Sequence, residues 1–221
     1  MLPFTAEAFF SHFESYNRAV WPAQIVAYLL GAAALVLAFR PVAGSSRAIA
    51  AILAAAWLWM GIVYHWMHFA TINVAAPAFA VFFVVEGLLF AWSAARGRIA
   101  FRFRPDLFGW TGLGLALFAM VLYPLLGWLA GHGWPRAPML GVAPCPTTIF
   151  TIGLLLMVER RTPLHLAAIP VLWSLVGGTA SWLLDVPEDI ALPIAGIGGL
   201  ALVLWKNRRA RASACRQARQ L

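Results

Sequence analysis

A 221-residue chain that is 62% hydrophobic and only 11% charged cannot cover its own surface with polar groups. A soluble domain carries roughly 25% charged residues, so an ordinary water-soluble fold is excluded and lipid is the implied solvent. The net charge of +8 does not indicate nucleic acid, because the basic residues sort by membrane side and form no continuous binding face.

In chain order, the first 20 residues do not read as a signal peptide. They lack a basic leading region, carry Glu7 and Glu14, and offer no small-residue cleavage site. Phe9, Phe10, Phe13, Tyr16 and Val20 instead recur at helical spacing, with Thr5 placed to cap and Glu7 in the first turn. Residues 5–19 are expected as a short amphipathic helix, lying in the membrane interface or packed on the bundle as a cap. Apolar runs then predict spans at about 21–39, 48–69, 74–95, 107–130, 146–158, 163–184 and 190–205. The domain reading is an interfacial segment over 1–20, one transmembrane bundle over 21–205 and a basic tail over 206–221.

Orientation follows from the positive charges. Arg40 and Arg47, then Arg96, Arg98, Arg102 and Arg104, then Arg160 and Arg161, and finally the tail fall on one side, which holds 14 of the 16 basic residues. Arginine and lysine near span ends favour the cytoplasm, so the expected fold is all-α, a polytopic bundle of about seven transmembrane helices, N-terminus outside and C-terminus inside. A cell inner-membrane location fits, with the basic tail facing anionic lipid headgroups. Cys145 and Cys215 then lie on opposite sides, which excludes a disulfide or a redox pair within one chain.

The fifth span is short. Pro146 to Val158 is 13 residues, about 20 Å of helix against a hydrocarbon core of roughly 30 Å. With Arg160 and Arg161 holding its inner end, Gly141–Cys145 is expected to descend into the membrane as non-helical chain, which needs protein or water around its backbone. The amides of Thr147 and Thr148 are expected to be free and wet. The last span also reads as short and contains Pro193.

Three features could carry chemistry. Glu86 lies mid-span, where a carboxyl is costly unless it faces the interior or protonates; it reads either as a proton or cation relay or as a protonated group bonded to a neighbouring helix. His65 and His68, spaced i, i+3 and followed by Asn73, share one face of a helix; they could contribute to a metal site with Cys145, or sit in the aromatic belt beside Trp66. Pro144-Cys145-Pro146-Thr147-Thr148 opens the short span, where a helix N-terminus favours an anion or thiolate, or is a proline-shaped entry with a structural cysteine. His12, His132, Asp185, Glu188 and Asp189 map to the same outer half, which suggests an outward-facing vestibule above Glu86, although Asp189 also reads as a cap of the seventh helix.

Two activities are excluded. A retinal Schiff base needs a lysine within a span, and the sole lysine, Lys206, is at the cytoplasmic end. A bis-histidine haem needs facing histidines on separate helices.

Tyr16-Asn17, the run Trp57 to His65, Ile72-Asn73, Tyr123-Pro124, Gly131 to Pro138 and especially Pro144 to Thr151 resemble a bacterial family of small multi-pass membrane proteins with a domain of unknown function. Some of its members carry the nominal label of major-facilitator permease, although seven spans without two six-helix halves do not match that fold. The resemblance covers nearly the whole chain and implies a membrane location. The leading expectation is a small transporter or channel for an ion or small solute, using Glu86, His65, His68, Asn73, Cys145, Thr147 and Thr148. A metal-binding sensor or importer, an intramembrane enzyme with Cys145 as nucleophile, and a structural subunit without ligand are the alternatives. No cofactor beyond a possible metal ion is implied.

Overall fold

The computed structural model describes residues 3–184 and 186–218, without the side chains of 214–218. Asp185 and the side chain of Cys215, both given a membrane side above, lie outside the described residues. The chain is all-helical: α1 (Ala6–Ala19), α2 (Ala23–Phe39), α3 (Ser45–Thr71), α4 (Ala76–Arg96), α5 (Leu107–Leu129), α6 (Pro144–Leu156), α7 (His165–Leu184) and α8 (Ala191–Ala218). Five of these, α3, α4, α5, α7 and α8 with its lead-in turn, are long and apolar enough to cross a membrane. The pair α1 and α2, bent by 87°, adds a sixth if taken together. Exposed Leu29, Val36, Trp92, Trp128 and Ile194 give the bundle an apolar exterior that fits lipid.

α1 forms as expected. Thr5 caps it by accepting from the Ala8 amide at 3.2 Å, and Glu7 lies in the first turn. Its buried residues are Phe13, Tyr16 and Asn17. Helices α3 and α4 pack closely because Gly61 and Gly87 have no side chain. A Cβ on Gly87 would stand 2.6 Å from Leu58 Cγ, and one on Gly61 would stand 2.9 Å from the Val84 amide nitrogen.

Three local readings are corrected. After Trp59, α3 widens into a π-helix over Met60–His68. Its turns are broader than those of an α-helix, so residues three apart no longer share a face. The last helix is not short: Pro193 lies in its first turn, where a missing N–H does no harm. It runs on to Ala218 because Ala, Arg and Lys are good helix formers. Finally, α6 begins at Pro144, two residues early, so Thr147 and Thr148 lie inside the helix and their amides are not free ends.

Helix α6 is the centre of the bundle: every residue from Pro146 to Val158 is buried. Its C-terminal carbonyls, left over by helix geometry, all find partners. Thr162 Oγ1 donates to Leu155 O at 3.0 Å and Lys206 Nζ to Leu156 O at 2.8 Å. The Arg102 amide donates to Met157 O at 2.9 Å, and Lys206 also reaches Val158 O. At the other end, Pro144 and Pro146 remove two of the first three donors.

Of the irregular chain of residues 130–143 that precedes α6, the stretch from Ala137 to Ala143 is mostly buried. Asn17 Nδ2 donates to the carbonyls of Pro135 at 2.7 Å and Ala137 at 2.8 Å. The Tyr16 hydroxyl donates to Val142 O at 2.8 Å while accepting from Trp59 Nε1 at 2.9 Å. Thr147 Oγ1 accepts the Gly141 amide at 2.7 Å. α1 therefore serves as a polar plug against this loop.

Two predictions follow from these contacts. Asn17→Ala strands the buried Ala137 carbonyl and the part-buried Pro135 carbonyl and should lower stability by about 1–3 kcal/mol, read as a fall in Tm of detergent-solubilised protein; an unchanged Tm would mean that water replaces the amide. Glu159, in the loop after α6, is held below its ordinary 4.5 chiefly by its hydrogen bond from Arg104, at 2.6 Å. A lowered folded value means that the pair stabilises above pH 4.5 and is lost as pH falls through that lowered value. Glu159→Gln should therefore cost up to about 1 kcal/mol at neutral pH and nothing in acid, checked by Tm against pH.

Candidate functional site

At the α6 N-terminal end, a cavity of about 220 Å³ lies between α1, the π-helical end of α3, and α7. Its walls are aromatic, with Phe13, Tyr64, Phe69, Phe79 and Trp173. Its polar groups are few, chiefly Asn73, Cys145, Thr179, Ser181 and Asp189. The rim includes Val176 and Leu183, which are exposed on the outer surface of α7, so the opening is lateral and not through a wide polar mouth.

Asp189 is the most constrained of these. It sits in the one-turn 3-10 helix Pro187–Ile190 that leads into α8, and it is 1% exposed. Its Oδ1 accepts the Tyr123 hydroxyl at 2.5 Å and its Oδ2 the Ser181 hydroxyl at 2.8 Å. Both side-chain oxygens tie α5 and α7 together, which replaces the expected role as a helix cap. Its neighbour Glu188 meets His132 Nε2 at 2.7 Å, both buried. No sequence signal linked residues 56 apart, although the run Pro187-Glu188-Asp189 was visible as an acidic turn.

The expected site residues divide between several neighbourhoods. Cys145 and Asn73 line the cavity; Asn73 Oδ1 also accepts the Ala75 amide at 3.0 Å. His65 is fully buried, its ring 4.5 Å from that of Phe83 and 5.2 Å from that of Trp173, and neither ring nitrogen has a hydrogen-bond partner among the described residues. His68 turns instead to Tyr16, with ring centroids 5.1 Å apart; the π-helix has split the pair. Thr147 serves the loop, and the Thr148 hydroxyl is buried without a partner among the described residues. Glu86 belongs to the buried stripe of α4 with Phe83, Gly87 and Phe90, and both of its oxygens lack partners among the described residues. It does not line the cavity, and stands seven residues, about 10 Å of helix rise, from Phe79, which does.

No three His, Cys, Asp or Glu side chains stand grouped to hold a metal ion among the described residues. The separated histidines do not fit the donor set that a metal with His65, His68 and Cys145 would need. Prolines at the first and third helical positions of α6 also leave few amides for an anion.

The fold and this interior define the class: a multi-pass α-helical membrane protein. Residues 6–214 match the family of unknown function DUF6064, and the chain belongs to that family. Its description names no activity. No curated protein and no solved structure matches the chain.

The hydroxyls on Asp189 generate a prediction. Tyr123→Phe removes a bond to a buried carboxylate and should destabilise by about 1.5–3 kcal/mol. Thr179→Ala, on the exposed face of α7, should stay within about 0.5 kcal/mol. Equal Tm values for the two variants would mean that Asp189 does not depend on Tyr123.

Proposed function

We propose that this protein is a small transporter or channel for an ion or small solute. In this reading it sits in the inner membrane with seven spans, counting α2 and, completed by the non-helical chain before it, α6, its N-terminus outside and its C-terminus in the cytoplasm. The observation that carries the reading is the cavity itself, set inside an apolar bundle at the head of a helix too short to cross. Clefts where a helix starts within the membrane suit solute sites. Glu86 is the coupling or protonation group, since an intramembrane carboxyl without partners is a functional candidate by default.

The opposite end supports the orientation. Arg104, Arg160, Arg161, Lys206 and Arg209 border an open cleft there, suited to anionic lipid headgroups, and the positive-inside tendency assigns it to the cytoplasm.

A reporter fused after Leu221 should be active only in the cytoplasm. In intact cells a small membrane-impermeant thiol reagent should label Cys145 slowly from outside, and Cys215 only after permeabilisation. In proteoliposomes Glu86→Gln should remove the pH dependence of solute uptake while the protein remains folded. An external C-terminus, or uptake with unaltered pH dependence in that variant, would overturn the orientation and the role of Glu86 respectively.

A further inference from the structure

We infer that the cavity at the head of α6 takes a small organic cation, an alkylammonium with apolar substituents. The inference rests on the proposal that this cavity is a solute site, and adds the chemistry of the solute. It follows from what the walls offer and what they lack.

The first observation is a missing counter-charge. Asp189 is buried in the cavity wall with two hydroxyl donors, and the ion pairs among the described residues do not include it. A buried carboxylate is stabilised by a paired cation. Among the described residues no arginine, lysine or histidine lines the cavity to supply one. Glu188 next to it already faces His132, so Asp189 is the acid left for a ligand.

The second observation is the aromatic wall. Tyr64, Phe69, Phe79 and Trp173 surround the space. Aromatic rings attract weakly hydrated organic cations electrostatically. They cannot replace the six or more oxygens that a calcium or magnesium ion requires. An anion would meet the Asp189 carboxylate and a helix start whose first and third residues are proline. A neutral apolar solute would fit the walls but leave Asp189 without a counter-charge.

The lateral rim at Val176 and Leu183 gives the apolar substituents a way in from the membrane interface. The same ammonium chemistry could come from a free solute or from a phosphatidylcholine headgroup.

The test compares choline with its neutral isostere 3,3-dimethylbutan-1-ol on the purified protein in detergent. A Cys215→Ser background leaves Cys145 as the single thiol. Choline should slow maleimide alkylation of Cys145 and raise Tm, while the isostere does neither at the same concentration. Asp189→Asn should weaken the choline effect by roughly tenfold. The isostere comparison needs no variant of the cavity, so it stands even if Asp189→Asn fails to fold. Equal protection by both compounds would overturn the cationic class and leave the solute site intact. No effect of either on alkylation or Tm would overturn the solute site as well. Nanodiscs separate the sources: protection in phosphatidylcholine discs without added choline, absent in phosphatidylglycerol discs, identifies the headgroup, and protection only on adding choline identifies the free solute.

Discussion

Backbone polar groups on either side of α6 have to find partners inside an apolar bundle, and much of the architecture answers that requirement. A 13-residue helix reaches about 20 Å, so at least one of its ends is buried in protein. In a membrane the unsatisfied peptide groups there would each cost several kcal/mol. At one end Lys206, Thr162 and the Arg102 amide take up the last carbonyls. At the other, prolines remove donors, and α1 folds across to satisfy the carbonyls of the loop through Tyr16 and Asn17.

The cavity is a by-product of the same arrangement. Because α6 is short, the space beyond its N-terminal end is closed by side chains from α1, α3 and α7 instead of by more helix. Widening of α3 into a π-helix turns Tyr64 into that space and separates His65 from His68. The lead-in turn of α8 carries Asp189 to the wall, where α5 and α7 hold it by hydroxyls. The result is a mostly aromatic chamber with one carboxylate, drier than a vestibule reading of the sequence implies. Glu86 lies farther along α4, in line with its mid-span position.

Much of this bundle was legible in the sequence because the bilayer imposes a coarse rule on hydropathy. The positions of α3, α4, α5 and α7 follow from apolar runs bounded by arginines, and the length of α6 was visible between Pro146 and Arg160. Finer features were not. Nothing in Met60 to His68 announces broader turns, since π-helical widening is set by packing against α4. The basic run after Trp205 read as a tail, yet its Ala and Arg content favours helix once α8 is under way. The role of Asn17 does have a signal in the sequence: it stands four residues after Phe13, on the apolar face of α1, where a polar side chain needs a partner. Asp189 read as a cap from its place before a helix, but its partners lie 66 and 8 residues away in sequence, beyond the reach of local patterns.

Residues 135–147 are non-helical chain followed by a helix start, mostly buried in the bundle and bonded to α1. Hydrogen–deuterium exchange of the protein in nanodiscs measures this directly. Peptides covering 137–147 should exchange as slowly as those from the middle of α4, and Asn17→Ala should speed them without affecting α4. Exchange of this segment as fast as the connection between α2 and α3 would contradict the account, because the chain before α6 would then be an ordinary surface loop.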